Sequence, residues 1–199
     1  MVEVALSKTT LPVGSKGRDA SGYWGMLTLI ATEAALFAYL LFSYFYIASH
    51  APAPWPPHGA PSLTLAIPGT LVLLVGSVTM WWGERGIERG RVGQLIAGLI
   101  VSIALAIAFI VLEGTEWAGK PFTLGSSAYS SLYFTITGFH LAHVLVGVLI
   151  LAALLLWTLL GHFDANRHSA VSIGVIYWHF VTAVWVAVFF TFYIAPRLG

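Results

Sequence analysis

The chain has 199 residues, of which 58% are hydrophobic and 9% charged, with a net charge of +1 and a mean hydropathy of +0.87. A soluble domain carries about 25% charged residues, so the composition points to an integral membrane protein of one domain, and no basic cluster outside the short loops suggests nucleic acid. The absence of cysteine excludes disulfides, iron–sulfur clusters, thiolate zinc and cysteine-ligated copper from this chain, and leaves no thiols from which to read a redox compartment.

Residues 1–21 are polar and mixed and read as an N-terminal tail. They lack an apolar core followed by a small-residue cleavage site, so no signal peptide is expected. Residues 22–199 read as a single membrane domain with five long apolar segments, at roughly 23–48, 66–83, 93–112, 128–160 and 170–195. A span needs about 20 apolar residues, lipid admits only helices or closed barrels, and runs this long without period-2 alternation mean helices. The predicted fold is all-α, a polytopic bundle of five transmembrane helices, with no internal repeat.

The first span carries Glu33 in LIATEAALFAYL, roughly 15 Å from its start. An isolated carboxylate there would cost about 2.5 kcal/mol or more. Glu33 is therefore expected to be a buried carboxyl, either proton-linked or hydrogen-bonded to a neighbouring helix for packing. The segment HAPAPWPPHGAPS, 50–62, is too rich in proline to be helical throughout. ERGIERGR, 84–91, reads as a charged turn, and 113–127 as a longer loop. Glu113 and Glu116 open that loop, and read equally as a solvated helix end or as part of an interface. The fourth span, about 33 residues, would be near 50 Å long as a helix and must tilt or project.

His140 and His143 lie three apart in TGFHLAHVLVG and share a helix face. With His179, between Trp178 and Phe180, they are the histidines inside spans. Metal or haem ligation is conceivable, but the spacing is a weak signal, and interhelical hydrogen bonds are the favoured reading. Trp24, Trp81, Trp82 and Trp178 lie near span ends, as an aromatic belt would. Gly98, Gly138, Gly147 and Gly174 allow close helix approach. Lys8, Lys16, Arg18, Arg85, Arg89, Arg91 and Arg167 fall on one side of the predicted topology, Lys120 and Arg197 on the other. The positive-inside rule then places the N-terminus in the cytoplasm and the C-terminus outside.

TEAALF (32–37), WPPHG (55–59), LEGTEW (112–117), PFT (121–123), GFHLAHV (138–144) and YWHFVTAVW (177–185), in this order and spacing, resemble subunit III of haem–copper cytochrome c oxidases. The resemblance runs from about residue 22 to 195 and is to the short, five-helix bacterial form. It implies a non-catalytic subunit of a proton-pumping terminal oxidase in the bacterial plasma membrane. Such a subunit carries no haem, copper or other redox centre; those belong to partner subunits. It packs beside subunit I, in a complex with subunit II, binds phospholipid, and supports proton uptake and the stability of subunit I. A larger respiratory assembly is a further conceivable partner.

By the same resemblance, Glu33 matches the family's carbodiimide-reactive glutamate, and His140, His143 and His179 match its intramembrane histidines. We expect His179 to fasten the last helix within the bundle. The chain departs from the family pattern where GFHLAH replaces GFHGLH, bringing in Leu141. It departs again where Thr182 replaces the Asp of YWHFVD, so that Thr182 can hydrogen-bond but cannot carry charge. Subunit III of a quinol oxidase and a nitric oxide reductase accessory protein are related alternatives. Two readings from outside the family are a small proton-coupled transporter built on Glu33, and a haem-carrying anchor using His140 or His143 against His179.

Overall fold

A computed structural model describes residues 21–52 and 54–198. Residues 1–20 of the predicted tail, with Lys8, Lys16 and Arg18, lie outside the described residues, and Ser21 already begins the first helix. The described chain runs as five helices: α1 (Ser21–His50), α2 (Leu63–Glu88), α3 (Val92–Ala118), α4 (Ala128–Leu159) and α5 (Ser169–Phe189). A π-helical turn (Phe190–Ile194) and a 3₁₀ turn (Ala195–Arg197) follow. All five are long and apolar enough to cross a membrane, as the sequence predicted.

Two helices extend beyond their apolar runs. The segment ERGIERGR is not a turn throughout: α2 continues to Glu88 and only three residues separate it from α3. Gly90 sits at φ +73°. There the Arg91 N–H bonds the Gly86 carbonyl and the Gly90 N–H the Ile87 carbonyl, both at 2.9 Å. This is the Schellman arrangement, and it closes a helix with charged residues in its last turn as readily as an apolar one. Likewise LEGTEW is helical, because α3 continues to Ala118. The loop that follows is shorter than expected, and a capping box from Ser127 and Ser130 starts α4.

α5 is the centre of the bundle. Half of its apolar window is buried, against 6% of that of α1. It packs against α1, α2 and α4, and buries Trp178 and Trp185. α1 is peripheral and leaves Trp24, Tyr39, Phe42 and Tyr46 exposed, as a lipid- or partner-facing helix does. Trp81 and Trp82 are exposed near a span end, whereas Trp178 is fully buried and is not a belt residue. Van der Waals fit dominates association in lipid, and glycines set it here. A Cβ on Gly98 would lie 2.9 Å from the Gly83 Cα and the Thr79 carbonyl oxygen, so α2 and α3 touch backbone to backbone. A Cβ on Gly147 would meet the Trp178 ring at 2.9 Å, and one on Gly174 the Leu154 side chain at 2.6 Å.

Between α4 and α5, Asp164 accepts the backbone N–H groups of Asn166 and Arg167 and the Arg167 guanidinium. The Asn166 N–H and then Arg167 hold its carboxyl below the usual carboxylate range.

Candidate functional site

The first polar group joins α1 to α4. Glu33 Oε2 lies 3.0 Å from His143 Nε2. The side chains are 27% and 15% exposed respectively, so Glu33 is half-buried rather than buried as expected. α1 is too peripheral to enclose it. The other His143 nitrogen, Nδ1, is 2.6 Å from the Phe139 carbonyl. That carbonyl can only accept, so Nδ1 carries hydrogen. If the imidazole is neutral, Nε2 is then bare, and Glu33 must be protonated to donate to it. If the imidazole is charged, Nε2–H donates to an ionised Glu33. Both forms place one proton between Oε2 and Nε2. An ionised Glu33 beside a neutral ring would oppose lone pairs at 3.0 Å. The contact joins α1 to α4 through a single hydrogen.

One turn away, His140 is fully buried. Interhelical hydrogen bonds were expected of it, and the structure gives neither ring nitrogen a partner. Its ring lies instead against Trp185 at 5.0 Å, Phe109 at 5.7 Å and Phe37 at 6.4 Å between centroids. Residues three apart on a helix point about 60° apart, which suffices to send His143 to the α1 carboxyl and His140 into the aromatic core. A buried polar ring without partners adds nothing by hydrogen bonding, and an apolar ring of similar shape can replace it without loss. His140→Phe is accordingly expected to keep or raise the thermal midpoint of the purified chain. A clear fall would show that the imidazole nitrogens are bonded after all, for instance through an enclosed water.

His179 Nδ1 and Ser77 Oγ of α2 share a hydrogen bond of 2.5 Å, which ties α5 to α2. Thr182 is buried and donates to the Trp178 carbonyl in its own helix at 3.1 Å. The α5–α2 contact is reinforced by Trp185 Nε1, which donates to Thr70 Oγ1 at 2.9 Å. Among the described residues, no group of three or more His, Asp or Glu could hold a metal ion. The histidines also fit a haem poorly. Both His143 nitrogens are engaged, His179 bonds Ser77, and the His140 ring lies against three aromatic side chains.

A second polar group lies where α3 ends and α4 begins. Glu113 and Glu116 are buried, at 3% and 8% exposure, so the solvated-end reading fails. Trp117 Nε1 donates to Glu113 Oε1 at 2.9 Å and to Thr137 Oγ1 of α4 at 3.2 Å. Glu116 Oε1 accepts from Lys120 Nζ at 2.7 Å, from the Tyr193 hydroxyl at 2.5 Å and from the Tyr133 hydroxyl at 3.3 Å. The Lys120 ammonium also lies 4.8 Å from the Tyr133 ring centroid, a cation–π contact. Arg197 donates to the Tyr193 and Pro61 carbonyls, so the C-terminal turns are held to both α2's entry and the Glu116 cluster. The sequence reading missed Lys120, Tyr133 and Tyr193. One signal was present: Glu113 and Glu116 lie three apart, the spacing of one helix face, with Lys120 four residues after Glu116, just past the helix end.

A family model described as Cytochrome c oxidase subunit III matches residues 16–196. Three similar proteins are named Cytochrome c oxidase subunit 3. That of Drosophila melanogaster is 34% identical over 178 residues, covering 85% of this chain and 68% of the relative. That of Sus scrofa is 35% identical with the same coverage. That of Pongo pygmaeus is 35% identical over 192 residues, covering 92% of this chain and 71% of the relative. The chain belongs to the cytochrome c oxidase subunit III family.

Proposed function

We propose that this chain supports proton uptake and the stability of the catalytic subunit in a proton-pumping cytochrome c oxidase, with the Glu33–His143 pair as its proton-linked element. Family membership makes it an accessory subunit of a haem–copper oxidase complex, set in the membrane by five helices. The finer reading is ours: subunits I and II as partners, haem and copper in those partners, bound phospholipid, and the bacterial plasma membrane with the N-terminus cytoplasmic. The names of the relatives favour cytochrome c as the donor. The observation that carries the proton-linked role is the 3.0 Å contact between Glu33 Oε2 and His143 Nε2, with Nδ1 committed to the Phe139 carbonyl. One proton can move between acid and base there without any change in helix packing. Glu33 is 27% exposed on the peripheral helix α1, where the pair can pass that proton to a partner subunit. A purely structural acid needs neither exposure nor a titratable partner.

Glu33→Gln separates the two roles. The amide can still donate to Nε2, so packing is kept, but it cannot release a proton. Glu33→Ala and Glu33→Gln are both expected to slow proton uptake or to shorten the number of turnovers before the oxidase inactivates, with the subunit composition unchanged. Wild-type uptake and inactivation in both variants would contradict the proton-linked role. A defect confined to Glu33→Ala would make the pair a packing contact.

A further inference from the structure

The Glu33 and Glu116 groups leave the α2–α3 turn unexplained. There, Trp81, Trp82, Arg85, Arg89, Arg91 and Gln94 line an open pocket of about 280 Å³. That is just below the roughly 300–1,000 Å³ of ligand pockets, which suits a headgroup rather than a whole molecule. We propose that this pocket binds a phosphate group, and that its natural source is the headgroup of an anionic phospholipid.

Charge comes first. Three arginines line the pocket and no acidic residue does. Arg85 has a long contact of 3.9 Å with Glu88 and lies 5.5 Å over the Trp81 ring. Among the described residues, Arg89 and Arg91 are in no ion pair. Glu84, the other acid of this end of α2, is not among the lining residues and lies near Ser172 of α5 and His168 just before it, as well as Arg85. Guanidinium groups bind phosphate in a bidentate fork, which ammonium groups cannot do.

The pocket is also held in shape. The Schellman closure at Gly90 fixes the backbone of Arg89 and Arg91. Gln94 lies flat across Gly86, where a Cβ would stand 2.6 Å from its own Cβ. From there Gln94 Nε2 donates to the Trp82 carbonyl at 2.6 Å, bracing the last turn of α2 against the first turn of α3. No side chain caps α3, so its N-terminal partial positive charge opens towards the same side.

The setting selects a lipid. Trp81 and Trp82 are each about half exposed, at 49% and 47%, and sit where the apolar span meets the charged turn. Indole rings favour the headgroup level of a bilayer, and basic pockets between transmembrane helices take anionic lipid headgroups. The inference deepens the lipid binding of the proposed function and rests on that reading only for its membrane setting.

The test is native mass spectrometry of the full chain in detergent, with phosphatidylglycerol, phosphatidylcholine or inorganic phosphate added. Phosphatidylglycerol is expected to bind saturably at one site and phosphatidylcholine to bind more weakly. At about one kcal-scale contribution per arginine, Arg89→Gln with Arg91→Gln should weaken phosphatidylglycerol binding about thirty-fold. The Arg89→Lys/Arg91→Lys variant reports folding and should retain most of the charge-driven part. Displacement of phosphatidylglycerol by inorganic phosphate at similar concentration would assign the site to free phosphate, supporting the phosphate chemistry but not the lipid source. Equal binding of the two lipids, or wild-type affinity in the double glutamine variant, would overturn the proposal. Since the isolated chain is measured, either result is independent of whether the oxidase assembles.

Discussion

Glu116→Ala is expected to lower the stability of the chain by about 3–5 kcal/mol, the scale for removing one partner of a buried ion pair. Glu116 and Lys120 are 2.7 Å apart, with side chains only 8% and 10% exposed. The alanine variant would leave the Lys120 ammonium facing the Tyr133 and Tyr193 rings, with its directly bonded carboxylate gone. It would also strip the acceptor from the Tyr193 and Tyr133 hydroxyls, loosening the C-terminal turns from α3 and α4. Lys120→Met alone should be harmful for the converse reason, because it leaves a buried carboxylate. The double variant Glu116→Met/Lys120→Met is expected to be more stable than either single change, since a buried pair exchanged for apolar groups leaves no orphan charge. Thermal unfolding of the four proteins in one detergent checks this. Simple additivity would mean that the pair is not coupled.

Gly98→Leu should cost about 3 kcal/mol, at the upper end for overpacking. The obstacle is backbone rather than a flexible side chain: the Gly83 Cα and the Thr79 carbonyl, each 2.9 Å from the first added carbon. Relief requires α2 and α3 to separate, which would also strain the Ser102 hydroxyl bonds to the Gly76 carbonyl at 3.0 Å and to Thr79 at 2.9 Å. Gly93→Leu is the control. A Cβ there meets nothing within 4 Å, so its thermal midpoint should stay close to wild type apart from the helix-propensity difference. Equal midpoints for the two variants would remove the close-contact account.

The spans were legible because hydropathy alone identifies about 20 consecutive apolar residues in a chain that must satisfy its backbone in lipid. The helix ends were not. Glu84 and Arg85, and likewise Glu113 and Glu116, look like loop charges to a hydropathy window, yet a helix can continue past the membrane or bury the acid against partners. The candidate site was legible as residue types only. Glu33 and His143 were singled out separately, but no local pattern links positions 110 apart. That pairing depends on how α1 lies against α4. His140 shows the limit from the other side. A histidine in a span invites the expectation of a hydrogen bond, while Phe37, Phe109 and Trp185, from three different helices, converge on it only in the fold. Glu113 and Glu116 were within reach, because they share one face of α3 once the helix is carried on to Ala118; Lys120 follows just past its end and turns back to Glu116.

The most direct test of the account is the optical spectrum of the tagged chain isolated from its native membrane in mild detergent, before and after its partners are stripped. The account predicts haem bands before stripping and none afterwards, from a chain that remains folded. Haem bands that stay with the stripped chain would contradict it and return His140, His143 and His179 to ligation. A folded chain that carries no haem-containing partner at either stage would contradict it as well.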